Sequence, residues 1–313
     1  MDNLLKVGEL VAAPGSKVQG FISVINTDLK MPVTLINGTK EGKTISITGG
    51  IHGGEYPAIE ASVRLAKNIS PQDVTGKLII VHPVNTEAFF AKTQYINPID
   101  GKNLNRVFPG KANGTLSEKI AYTITTEVID KGDFYIDLHG GDIHEALIPF
   151  VIYPKLGTDE QNKLAKDAAS MLGIKYVIGS LSDTGTIGSA MLRGTPGFLA
   201  EIGRDGLWTE DEVVQYLDGI YNTLRYFKVI EGNYKETEVI YLDQMVGRNA
   251  DQKGLWYPNI IPGDLVKFGD KLGEIRDFFS NILGEYYAPQ DGIMLYVASS
   301  LSINPGEPLY AMG

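Results

Sequence analysis

Over the first forty residues, apolar positions come in short runs: Val18, Phe21, Ile22, Val24 and Ile25, then Val33 to Ile36, broken by Gly, Pro, Asn and Asp. Such spacing predicts edge strands and turns. The pattern then changes. Ile45 to Thr48 reads as a strand that runs into the turn Gly49-Gly50-Ile51-His52-Gly53-Gly54-Glu55. Pro57 to Asn68 sets Ile59, Val63, Leu65 and Ala66 on one helical face. Lys77 to Val81 is a continuous apolar run, as in a strand buried on both faces. Strand, helix and strand at this length predict a parallel crossover unit, with ligand-bearing loops at the carboxyl ends of the strands.

Helical periodicity returns over Ser117 to Ile129, with Ser117 as the start, over Glu160 to Leu172, and over Glu210 to Ile230. Phe134 to His139, Leu147 to Tyr153, Lys175 to Ile178 and Gly197 to Glu201 read as strands. Between them, Tyr95 to Gly110 is rich in turn formers yet holds Leu104, Val107 and Phe108, which predicts a loop tucked against the body. From about residue 237 the helical period disappears, and closely spaced Gly and Pro separate short strands. The expected fold class is α/β. A mixed, largely parallel sheet flanked by helices occupies residues 1–235, and a small all-β sandwich or barrel domain occupies 236–313.

With 313 residues the chain can bury a substantial core. A formal charge of −10 argues against nucleic acid as a partner. There is no cysteine, so any zinc site must be built from His and carboxylate. The first residues lack a signal-peptide pattern and no run approaches the roughly 18 apolar residues of a membrane span. A cytoplasmic location without a membrane partner is the default expectation.

The candidate chemistry sits at strand ends. His52 and Glu55 are three residues apart on a backbone freed by glycines, which is metal-ligand spacing; the alternative is a Gly-rich strand-to-helix turn with a surface His and a helix-start Glu. His139 ends an apolar strand, is followed by two glycines, and is preferred over nearby His144 as a third ligand. Asp137 shares its face, either as a carboxylate supporting His139 or as a polar strand-end residue. His82, before Pro83, reads as a packed or capping histidine. Glu201 follows an apolar run, and the desolvation this implies suits a general base; pairing with Arg204 is the bland alternative. Asn105 and Arg106 offer donors matched to a carboxylate, or a plain surface pair.

In order, GGIHGGE, NLNRVFPG, DLHGG and the Glu of AEIG resemble the succinylglutamate desuccinylase and aspartoacylase branch of the zinc carboxypeptidase superfamily, over roughly residues 40 to 230. The tail, with GDLVKFGDKLGEI and YYAPQDGIM, is similar to the β-domain of such enzymes and to lipoyl or biotinyl carrier folds. It lacks a lysine in the turn around Gln290 to Ile293, so no prosthetic group is expected. The resemblance implies a zinc carboxypeptidase-like fold and one Zn2+ per chain on His52, Glu55 and His139. It also implies Glu201 as general base and acid, with Asn105 and Arg106 on a substrate carboxylate. The implied reaction is hydrolysis of the amide bond of a small N-acylated amino acid by a metal-activated water; a zinc carboxypeptidase acting on short or modified peptides is the alternative. A binding protein on a decayed hydrolase scaffold is opposed by the intact His52, Glu55, His139 and Glu201. Aspartoacylase-like members carry a further arginine upstream of Asn-Arg, where this chain offers only Lys92 and Lys102. Another precedes the catalytic Glu; Arg193 is the candidate substrate-binding residue there, with Arg204 a second. Homo-oligomerisation is left open.

Overall fold

The computed structural model describes residues 3–313. Its centre is a nine-stranded sheet. From edge to edge the strands are Ile240–Leu242, Tyr176–Ser180, Phe150–Pro154, Gly197–Glu201, Phe134–His139, Lys40–Gly49, Thr75–Val81, Lys30–Asn37 and Ser16–Ser23. Gly197–Glu201, Phe134–His139 and Lys40–Gly49 are parallel neighbours, with Glu201 opposite His139 and Leu138 opposite Gly49. Their carboxyl ends therefore finish side by side. Phe150–Pro154 runs antiparallel to Gly197–Glu201, and the strands from Lys30 and Ser16 close the far edge as an antiparallel meander.

Alternation along the central strands divides two cores. Phe134, Ile136, Leu138, Ile45, Ile47, Phe198 and Ala200 face the helices Tyr56–Asn68, Asp159–Ser170 and Glu210–Tyr226. Tyr135 and Leu199 point to the other side, where Ile120, Ile124 and the amino-terminal strands pack. The period of two carries Asp137, His139 and Glu201 to that second side as well. The α/β class, with its mixed, largely parallel sheet and helical flanks, is as expected from the sequence.

Several boundaries differ. The run from Leu147 to Tyr153 is two strands, Glu145–Leu147 and Phe150–Pro154, because Pro149 lacks the N–H that a continuous ladder needs. The helix expected from Ser117 spans Leu116–Glu127, capped by Thr115 in a capping box with Glu118. Ser117 is instead buried in its first turn. Two helices carry no clear periodic signal: Thr86–Ala91 is only 6 residues long, and Gly185–Leu192 contains two glycines.

Past Ile240–Leu242 the chain forms antiparallel sheets around Trp256, Leu272, Met294 and Leu309. Glu145–Leu147, just after His139, pairs with Gly292–Ala298 of those sheets. The segment leaving the centre of the large sheet is thereby fixed from the carboxyl-terminal side.

The Tyr95–Gly110 loop is held as tightly. Leu104 is fully buried, and Asn97 donates to Asn85 Oδ1 at 3.1 Å. Asp100 accepts from the Ser117 N–H at 2.7 Å and the Ser117 hydroxyl at 2.8 Å, so the loop supplies a remote cap to the helix that follows it. Partial burial pushes the Asp100 carboxyl up, but the bonds from Ser117 outweigh it and hold it below the usual carboxylate range. Asp100→Ala is expected to cost about 1 kcal/mol in urea unfolding at neutral pH, as for loss of a helix cap. A depressed folded-state pKa stabilises above the unfolded value and is lost as pH falls through the folded one. The difference between variant and parent should therefore shrink below about pH 4.

Candidate active site

Beyond Gly49 the chain must turn back into a helix within a few residues. Gly50 takes a positive φ of 76°, and a Cβ on Gly53 would lie 2.2 Å from the backbone nitrogen of Phe89. Only glycine lets the turn press against the Thr86–Ala91 helix. The turn ends at Glu55, the N-cap residue of Tyr56–Asn68, whose carboxylate lies at the positive end of the helix dipole.

His52, Glu55 and His139 converge there, with one potential ligand atom from each within 4.8 Å of the others. His52 Nδ1 lies 2.7 Å from Glu55 Oε1, and His139 Nδ1 lies 3.1 Å from Glu55 Oε2. The outer ring nitrogens are spoken for. His139 Nε2 meets Asp137 Oδ2 at 2.9 Å, and His52 Nε2 meets Asn103 Oδ1 at 3.0 Å. The same Asn103 oxygen accepts the Asn105 backbone N–H at 2.9 Å, which fixes the amide orientation and makes His52 Nε2 the donor. Asp137 also accepts from Thr48, at 2.7 Å, and from Thr186, while Tyr135 hydrogen-bonds Thr48 at 2.5 Å.

With both Nε2 atoms carrying hydrogen, both Nδ1 lone pairs aim at a carboxylate that is itself all acceptor. Glu55 Oε2 is buried and has no donor. Such a set wants a cation, or protons on both rings. Burial alone would lower the histidine pKa values, but Glu55 raises that of His52, and Glu55 with Asp137 raises that of His139 well above its usual value. Burial would raise Glu55, yet the two imidazoles hold it down. Two imidazoles and a carboxylate around an orphaned oxygen fit a divalent ion such as zinc.

Glu201 sits beside this cluster, paired in register with His139, on the wall of a cavity of about 540 Å³. Burial pushes its carboxyl well above the usual range; His139 pulls it down, while Glu55, Glu145 and Asp137 add to the rise. Asn105 and Arg106 line the same cavity from the turn Leu104–Arg106. Asn105 Oδ1 is taken by the Thr186 N–H at 2.9 Å, so its NH2 is what it has left to offer. Arg106 is exposed and has no carboxylate partner among the described residues. Met245, Asn249, Glu307, Pro308 and Tyr310 close the opposite wall from the carboxyl-terminal sheets.

Arg193 is not brought here. It caps the Gly185–Leu192 helix and forks onto Asp130, which precedes the start of the Phe134–His139 strand, whereas the cavity lies beyond its end. Six residues of strand put about 20 Å between those ends. Arg204 is exposed and outside the lining, and Lys102 pairs with Glu118 at 3.4 Å. His144 lies exposed in a turn with φ 67°, and His82 bonds Thr34 at 3.1 Å. The sequence reading missed Tyr95, Asn103, Glu145 and Thr186. Of these, only Asn103 carried a signal, standing inside the NLNR motif.

Residues 41–227 match the family model described as the succinylglutamate desuccinylase/aspartoacylase catalytic domain. The N-alpha-acetyl-L-2,4-diaminobutyric acid deacetylase of Halomonas elongata is 32% identical over 289 residues, covering 89% of this chain and 84% of that protein. Among solved structures, the product-bound ectoine utilization protein EutE (DoeB) from Ruegeria pomeroyi superposes with a TM-score of 0.85 at 26% identity, covering 95% of this chain and 94% of that one. A succinylglutamate desuccinylase from Silicibacter sp. TM1040 gives 0.83 at 26% identity, with coverage of 95% and 94%.

The Asp137 network predicts the effect of Asp137→Asn. An amide cannot accept from Thr48, Thr186 and His139 together, and loss of such support typically weakens metal binding about 10–100-fold. Chelator competition on the folded variant checks this, with one ion per chain expected for the parent.

Proposed function

Since this chain belongs to the succinylglutamate desuccinylase/aspartoacylase family, we propose that it is a zinc-dependent amidohydrolase that removes the acyl group from a small N-acyl amino acid. His52, Glu55 and His139 hold one zinc ion, Glu201 is the general base and acid, and Asn105 and Arg106 receive the substrate carboxylate. The observation that carries this reading is the convergence of two imidazole lone pairs and an undonated carboxylate oxygen beside a second, elevated carboxyl.

Zinc, when bound, supplies Lewis acidity that polarises an amide carbonyl and brings the pKa of water near 7. The chain's own residues do the rest. Glu201 accepts a proton from the attacking water as the O–C bond forms, and returns it to the amide nitrogen as the C–N bond breaks, leaving a carboxylic acid and a free amine. Its raised proton affinity suits a group that must both take and give near neutral pH. The Asn105 NH2 and the Arg106 guanidinium match a carboxylate in hydrogen-bonding pattern and charge.

The cavity, closed by residues past Met245, favours a small substrate over an extended peptide. The Halomonas relative is named for an N-acetylated diamino acid, which makes that class the first to test. The zinc-loaded protein is expected to hydrolyse N-acetyl-2,4-diaminobutyrate faster than short peptides. Glu201→Gln should lower kcat by about 10²–10⁴-fold while keeping its zinc. Cleavage of peptides alone, or an unimpaired variant, would sink the assignment.

A further inference from the structure

Glu145 lies on the cavity wall, only 9% exposed, and has no assigned task in hydrolysis. Its Oε1 accepts the Tyr95 hydroxyl, and its Oε2 accepts the Asp142 N–H at 2.8 Å. Each carboxylate oxygen has a second lone-pair site to spare. No Lys or Arg pairs with Glu145 among the described residues, although a buried charge ordinarily needs a partner. Burial pushes its pKa up to about 8, and a cation beside it would favour the ionised form.

The group cannot swing away to water. Its backbone N–H bonds Asp142 O at 3.0 Å, and its strand is paired to Gly292–Ala298 with Glu145 opposite Ala298. It is also close to the reacting centre. The Tyr95 ring stands edge-on to His52 at a centroid distance of 5.9 Å, so one aromatic side chain separates Glu145 from the His52–Glu55–His139 cluster. Leu147, Phe150 and Tyr296 supply surface for methylene groups on the same wall.

Charge around the cavity points the same way. Glu55, Glu145, Glu201 and Glu307 line it, against Arg106 as the lone Lys or Arg of the lining. Arg193 and Arg204, the candidates that the sequence offered for reading a substrate side chain, are absent from it, and so are Lys92 and Lys102 of the upstream loop. With Arg106 taken by the α-carboxylate, the remaining acidic and basic side chains of the lining, the two imidazoles aside, are all carboxylates.

We propose that Glu145 is a specificity-determining residue that receives a positively charged amine on the side chain of the N-acyl amino acid, with Tyr95 holding it in place. This rests on the deacylase reading above. Asn105 and Arg106 take the α-carboxylate, Glu145 takes the distal ammonium, and the scissile amide lies between them at the cluster.

The test compares kcat/KM for N-acetyl-2,4-diaminobutyrate, for N-acetylnorvaline, which replaces the ammonium by a methyl at equal length, and for N-acetylglutamate. The zinc-loaded parent is expected to prefer the cationic substrate by about 100-fold or more, because the neutral analogue leaves a buried polar group unpaired. Glu145→Gln should cut that preference roughly tenfold or more, chiefly through KM, at unchanged zinc content. Glu145→Asp, which withdraws the carboxylate by one methylene, should shift the optimum toward N-acetylornithine. A parent preference within about threefold, or one that survives in a folded Glu145→Gln protein, overturns the inference. If N-acetylnorvaline or N-acetylglutamate is nonetheless hydrolysed, the deacylase reading stands without it. Lack of turnover of every N-acyl amino acid by the zinc-loaded parent overturns both.

Discussion

The site depends on one electrostatic constraint: two imidazole nitrogens and a carboxylate face one another and need a proton or a cation to share. His52 Nδ1, His139 Nδ1 and the Glu55 carboxylate meet within hydrogen-bonding distance. Neither ring can turn to relieve the conflict, because Asn103 and Asp137 hold the opposite nitrogens. An unsatisfied buried polar atom costs about 1–3 kcal/mol, and more when charged. The surrounding fold holds the three groups together against that cost, which protons on the two rings or a divalent cation between them would remove.

Much of the sheet's central chemistry serves this constraint. Thr48, Tyr135 and Asp137 are polar groups in the middle of a sheet whose buried positions are mostly aliphatic or Phe. They would be a liability in a core if any were left unpaired. Instead Tyr135 donates to Thr48, Thr48 and Thr186 donate to Asp137, and Asp137 receives the His139 N–H. The chain from the core to His139 is fully satisfied, which orients the ring without loss of packing. Glu201 needs no such support, because its register opposite His139 delivers it to the same line.

This logic also explains what was legible in the sequence. A polar residue ending an apolar strand is conspicuous, and His139 and Glu201 were readable for that reason; the Gly-flanked His52 and Glu55 likewise. The supporting partners were harder because they arrive from elsewhere in the chain. Asn103 reaches His52 across 51 residues and Thr186 reaches Asp137 across 49, and neither distance leaves a local pattern. Arg193 shows the converse. Proximity in sequence to Glu201 suggested proximity in space, but the strand Gly197–Glu201 runs between them and leaves Arg193 at the other end of the sheet. Pro149 was visible, yet the consequence of its break, a short strand paired to the carboxyl-terminal sheets, depends on residues almost 150 positions downstream.

That pairing makes the carboxyl-terminal sheets part of the cavity rather than an appendage. Met245, Asn249, Glu307, Pro308 and Tyr310 form one wall, and Gly292–Ala298 fixes the strand that carries Glu145 on another. A buried carboxyl without a basic neighbour is tolerable only on a backbone that cannot relax, and here the ladder to Ala298, the Asp142 turn and the Tyr95 hydroxyl supply that rigidity from three directions. His52, Glu55 and His139 come from the strand ends of the large sheet and the turn that follows, while the shape and charge of the opposing wall come from the second part of the chain. On the proposed reading, the wall can therefore change its charge without disturbing the His52–Glu55–His139 geometry.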